Sequence, residues 1–130
     1  MSNSYVADTM ALVLRLERRR LPQEVKAVFE EAENDNAGIF IPAMVLAEIG
    51  YLSERRRIET NLTEVKSYCS DHKLIKVEPI TELIIDQSFQ IDDIPELHDR
   101  IIAGTAYSME LQLLTNDPII SESKYISVVW

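Results

Sequence analysis

Gly38-Ile39-Phe40-Ile41 is the stretch that most restricts how this chain can fold. It has strand length, stands between the turn residues Asn34 to Gly38 and the helix-starting Pro42, and is apolar at consecutive rather than alternate positions. A strand apolar on both faces needs cover on both, and parallel sheets flanked by crossover helices supply it.

The remaining segments follow the same pattern. Tyr5-Val6-Ala7 reads as a first strand, closed by Asp8-Thr9, and the helix after it (Met10, Leu12, Val13, Leu14, Leu16) turns basic at Arg18 to Arg20. Leu21-Pro22 breaks that helix, and Pro22 is suited to the first position of the next, whose stripe is Val25, Val28, Phe29 and Ala32. After the Gly38–Ile41 strand, the spacing predicts a helix over Ala43–Ser53, a charged linker Glu54–Thr60 and a helix over Asn61–Ser70. A strand at Leu74–Val77, a helix over Ile80–Phe89 and a loop at Ile91–Pro95 come next. The stretch His98–Pro118 then holds a helix (Leu97, Ile101, Ile102, Thr105, Ala106, Met109), a strand at Leu111–Leu114 and a turn at Thr115-Asn116-Asp117-Pro118. Ile126–Trp130 is predicted as a last, alternating strand. Strands alternating with helices define an α/β domain with a parallel sheet and right-handed crossovers. No repeat, low-complexity segment or long linker divides residues 1–130, which are expected to form one domain.

The charge balance, 13 basic against 22 acidic residues, argues against a broadly basic nucleic-acid surface. The bases nevertheless cluster, at Arg15, Arg18, Arg19 and Arg20 and at Arg55, Arg56 and Arg57, so a local basic rim is compatible with an acidic protein. Cys69 has no partner for a disulfide and reads as a small core residue. No apolar run approaches the roughly 18 residues a membrane span needs, and the N-terminal stretch lacks a signal pattern, so the cytoplasm is the expected location.

Sites in doubly wound sheets form beyond the carboxyl ends of the strands, where strand order reverses. Asp8 ends the first strand, Asp117 follows the Leu111–Leu114 strand, Asp99 opens the helix leading into that strand, and Glu48 shares a helical face with Val45 and Leu52. These four acids converge if the first and fourth strands are neighbours. Each has an ordinary reading: Asp8 as a helix cap, Asp99 as a first-turn acid, Asp117 as a turn residue, Glu48 as an arginine's partner. Together, however, they would gather like charges at one edge, a costly arrangement that hard divalent cations relieve. Oxygen donors without histidine suit Mg2+ or Mn2+. Glu78 also ends a strand, and lies away from the set if that strand is an outer one. The two histidines, His72 and His98, have no zinc-site spacing, and there is neither a G-x-S-x-G elbow nor a phosphate-cradling glycine loop. His98 reads as an exposed helix-start residue.

V-A-D-T at 6–9, A-E-I at 47–49, H-D-R-I-I-A-G-T-A at 98–106 and L-L-T-N-D at 113–117, in this order, resemble the PIN domain, the nuclease fold shared with the VapC-type toxins of toxin–antitoxin pairs. The resemblance covers nearly the whole chain. It implies a three-layer α/β/α sandwich around a mainly parallel five-stranded sheet of order 3-2-1-4-5, with Asp8, Glu48, Asp99 and Asp117 as an acidic quartet holding one or two Mg2+ or Mn2+ ions. It further implies an endoribonuclease, a cognate antitoxin and a homodimer, with the helices Pro22–Asn34 and that from Asn61 as candidate interfaces. Thr115 and Asn116 stand where the family keeps small polar residues that position the last acid or a water. Arg100 follows the third acid, either to pair with a carboxylate or to touch a phosphate. A silent PIN-like RNA- or protein-binding module and a phosphatase or DNase on the same fold are the alternatives.

Overall fold

A computed structural model describes residues 3–130; Met1 and Ser2, part of the N-terminal stretch read above, lie outside them. β1 (Asn3–Ala7) leads into α1 (Thr9–Leu16) and α2 (Gln23–Glu33), and β2 (Ala37–Pro42) into α3 (Ala43–Glu54) and α4 (Leu62–Asp71). β3 (Ile75–Glu78), α5 (Glu82–Ser88), α6 (Leu97–Met109), β4 (Gln112–Leu114), α7 (Pro118–Ser121) and β5 (Val128–Val129) complete the order.

The strands form one sheet in the order β3-β2-β1-β4-β5, every neighbouring pair parallel. The chain steps outward from β1 through β2 to β3, then returns to the other side of β1 as β4. The switch point therefore lies between β1 and β4, where Val6 is in register with Leu113 and Ala7 with Leu114. Ile39 and Ile41 of β2 are fully buried and Phe40 is half-buried, so the strand is covered on both faces as its composition requires. Val6, Ala7, Leu113 and Leu114 of the central strands are fully buried, and Leu12, Phe29, Ile49 and Ala106 from four different helices are buried with them. Cys69 packs half-buried against this core.

Local chemistry sets the helix boundaries. Asp8 caps α1 by accepting from the Ala11 N–H at 2.8 Å, Asn61 and Glu64 form a reciprocal capping box at α4, and Thr81 caps α5. Two expectations need correction at the far edge. The last strand is two residues long rather than Ile126–Trp130, and the turn at Asp117-Pro118 opens a one-turn helix. Aspartate followed by proline is a cap plus a first helical residue, and Asp117 accepts from the Ile119 and Ile120 N–H groups accordingly.

Among the described residues, no glycine has the left-handed φ with which helices often end. The residues with left-handed φ are Arg18, Asp35, Arg56 and Glu110, each just past a helix. A side chain in that region costs about 1 kcal/mol or more. Glu110→Gly is thus expected to raise stability by about 0.5–1 kcal/mol, read as a higher urea midpoint at unchanged slope. No helix among the described residues is long and apolar enough to cross a membrane.

Candidate active site

All four carboxylates expected from the sequence line one pocket of about 360 Å³ at the carboxyl end of the sheet, together with Thr9, Asn116 and Ile102. Asp8 leaves the end of β1, its N–H bonded to the Leu114 carbonyl of β4, so the pairing of the central strands fixes its position. Asp99 is in the first turn of α6, Asp117 caps α7 just past β4, and Glu48 comes from the middle of α3. The capping and site readings of Asp8 and Asp117 are therefore compatible: one oxygen of each serves the helix, and the side chain still faces the pocket.

Burial is the main force on Asp8. It pushes the carboxyl up to about 6; the Thr115 hydroxyl and the Ala11 N–H beside it pull the other way, and the charges of Glu48 and Asp117 add to the rise. Asp99 is likewise pushed up to about 6, first by burial and then by the charges of Asp117, Glu96, Glu48 and Asp8. Asp8 and Asp99 thus both feel the neighbouring carboxylates. Glu48 is held by the Thr9 hydroxyl, which donates to Oε1 at 2.5 Å, and has no arginine partner among the described residues.

Thr115 is fully buried and its hydroxyl accepts from the Asp117 N–H at 3.1 Å, tying the last acid to the end of β4. Asn116 is exposed on the pocket wall. Arg100 pairs with no carboxylate among the described residues: its Nε donates to the Ile94 carbonyl at 2.7 Å and its guanidinium lies over the Phe89 ring, turned toward α5 and its loop. Glu78 ends the outer strand β3, outside the pocket. His98 is exposed and bonded to Glu96 at 2.7 Å, which raises its pKa. No arginine of either cluster lines the acid pocket.

Two contributors were missed in the sequence. Thr9 anchors Glu48 from 39 residues away, a pairing that no local pattern signals. Glu96 caps α6 by accepting from the Asp99 N–H at 2.8 Å; glutamate is an uncommon cap, and only the preceding Pro95 hinted at a helix start. Among the described residues, no group of three or more His, Cys, Asp or Glu side chains is already arranged to hold a metal ion. The donor chemistry fits a hard cation nonetheless: oxygen ligands alone, gathered where neighbouring charge pushes up the pKa values of Asp8 and Asp99.

A parallel, doubly wound α/β sheet with an acid-lined pocket at its switch point defines the class of protein. The particular family follows from sequence: the PIN domain model matches residues 5–124, and the chain belongs to that family. No curated protein sequence matches the chain. Solved structures do. VapBC2 from Rickettsia felis, bound to a DNA fragment from its promoter, is 19% identical with a TM-score of 0.74, covering 98% of each chain. DNA-bound VapBC from Salmonella typhimurium is 17% identical with a TM-score of 0.69, over 99% of this chain and 98% of that one. FitAcB from Neisseria gonorrhoeae is 18% identical with a TM-score of 0.63, over 97% and 96%.

Proposed function

We propose that the chain is a Mg2+- or Mn2+-dependent endoribonuclease acting as the toxin of a toxin–antitoxin pair. The observation that carries this reading is the meeting of Asp8, Glu48, Asp99 and Asp117, from four separate elements, in one pocket at the switch point. Membership of the PIN family, whose members are generally nucleases, and likeness to toxin–antitoxin structures support it.

Asp8, Asp99 and Asp117 would hold the ion, with Glu48 beside them. Bound there, it would make a water more acidic and offset charge on the phosphate. The chain's own part is positional. Thr115 fixes Asp117, the β1–β4 pairing fixes Asp8, and the Glu96 cap fixes the first turn carrying Asp99. Glu48, steadied by Thr9, orients the attacking water or takes its proton. The water oxygen bonds to phosphorus as the bond to the 3′ oxygen breaks, and that oxygen takes up a proton from solvent, leaving a 5′-phosphate and a 3′-hydroxyl. The working assembly proposed is a cytoplasmic homodimer with a cognate antitoxin, α2 and α4 being the candidate subunit interfaces.

Purified protein incubated with structured and unstructured RNAs is expected to cleave with Mg2+ or Mn2+, to stop with EDTA, and to be silent when Asp8→Asn and Asp99→Asn are combined. Cleavage surviving in that double variant would sink the assignment. The pocket's lack of a ready-made metal cage favours one other reading, a PIN-like module that binds RNA or protein without turnover. Calorimetric titration separates the two: that module takes up no ion.

A further inference from the structure

Glu17 joins two arginine clusters that stand well apart in the chain. Its Oε2 accepts from the Glu59 N–H at 3.0 Å, the Thr60 N–H at 2.9 Å and the Thr60 hydroxyl at 2.8 Å, and Thr60 is buried. The carboxylate at the end of α1 thus pins down the segment that follows α3. Both helices close with the same turn. Arg18 N–H bonds to the Arg15 carbonyl and Arg19 N–H to that of Leu14; Arg56 N–H bonds to the Ser53 carbonyl and Arg57 N–H to that of Leu52.

Two pockets result, sharing one wall. Arg19, Arg56 and Arg57 line a hollow of about 650 Å³ around Glu17. Arg19 also lines a second, of about 810 Å³, with Arg18, Arg20 and Lys26. Arg15 is engaged by Glu33 and Arg19 lies beside Glu17, but among the described residues Arg18, Arg20, Lys26, Arg56 and Arg57 have no carboxylate partner. The attraction of cations to helix C-termini accounts for single basic residues there. It does not account for a part-buried clamp that brings two clusters together on a chain of net charge −9.

The band also has a set relation to the acid pocket. α1 runs from its N-cap Asp8 to its C-cap Glu17, a rise of about 13 Å, while α3 runs about 9 Å from Glu48 to its end. Both helices lead from the acids to the arginines. An isolated anion would need one hollow; two hollows joined at Arg19 suit a chain of phosphates, which guanidinium groups bind well.

We propose that the two clusters, clamped by Glu17, form one track for the phosphate backbone of single-stranded RNA, within a few nucleotides of the acid pocket. The choice of RNA rests on the ribonuclease reading above; the track itself does not.

Fluorescence anisotropy with a labelled single-stranded RNA, in EDTA so that nothing is cleaved, tests it. Neutralising Arg18, Arg19, Arg56 and Arg57 together, each to Gln, is expected to weaken binding on the order of tenfold or more at about 0.1 M salt, and to flatten the log–log salt slope by roughly 3. Glu17→Ala separates the clamp from bulk charge. Removing a negative charge should tighten RNA binding if only charge matters, as Glu59→Ala is expected to do. Loss of the clamp predicts instead about three- to tenfold weaker binding. Thr60→Val, which alters no charge, should weaken it in the same direction and serves if Glu17→Ala fails to fold. Unchanged binding in the quadruple variant, no RNA binding by the native protein, or equal capture of polyglutamate would each overturn the track. Tighter binding by Glu17→Ala would overturn the clamp. Metal-dependent cleavage with no effect of these variants refutes the track alone, and RNA binding without cleavage refutes the ribonuclease alone.

Discussion

Asp8→Asn is expected to lower cleavage by about a hundredfold or more while making the metal-free protein more stable at neutral pH. Burial and neighbouring charge hold the Asp8 carboxyl at about 6 against an ordinary 3.8, so the native state at neutral pH carries a charge it would rather shed. That excess is worth about 3 kcal/mol, and asparagine removes it while still capping α1, since its side-chain oxygen can accept from the Ala11 N–H. The direction with pH follows. The penalty on the native protein is full above about 6, shrinks as the pH falls from there, and is gone below 3.8, where both folded and unfolded chains are protonated. Asp99, also at about 6, acts in the same sense. Urea midpoints in EDTA should therefore rise for the native protein between about pH 7.5 and 5, and the advantage of Asp8→Asn should narrow over that range. A variant less stable at both pH values would show that Asp8 is chiefly a structural cap.

Gly104→Ala is expected to destabilise by about 2 kcal/mol, although alanine is the better helix former by about 1 kcal/mol. Gly104 lies in α6 where that helix crosses α5, and a Cβ there would meet the Ser88 Cβ at 2.7 Å and the Ser88 Cα at 2.8 Å. A hydroxyl could turn aside; a backbone carbon cannot. Ser88 is moreover fully buried and donates to the Ile84 carbonyl, so α5 has little room to yield. The loss should appear as a drop in thermal midpoint and be partly recovered by adding Ser88→Gly. A midpoint at or above the native value would mean that the two helices can separate freely. Because α6 also carries Asp99, the same substitution is expected to reduce metal-dependent cleavage without touching a carboxylate.

Much of this architecture was legible in the residues because its signals are local. Gly38 to Ile41 announces a doubly covered strand, Pro22 and Pro42 mark helix starts, and Asp8 and Asp117 stand where strands end. Meetings across the chain were not legible. Glu48 was conspicuous as an acid on an apolar helix face, yet its anchor, Thr9, lies in another helix. Arg100 sits beside Asp99 in sequence and suggested a role in the site; helical geometry sends it to Ile94 and Phe89 instead. The arginine clusters were visible as composition, but their union through Glu17 and Thr60, and their place outside the acid pocket, were not.

The register of Val6 with Leu113, the first strand against the fourth, has a consequence for synthesis. β1 is made before the other strands, but Asp8 can meet Asp117 only after more than a hundred residues have followed it. A contact of such long range forms late and slowly, because the intervening chain must first be brought into place. A nascent chain with β1 to β3 assembled has three of the five strands of its sheet and no complete acid pocket. The complete pocket becomes possible only once Asp117, the last of the four acids along the chain, has been made.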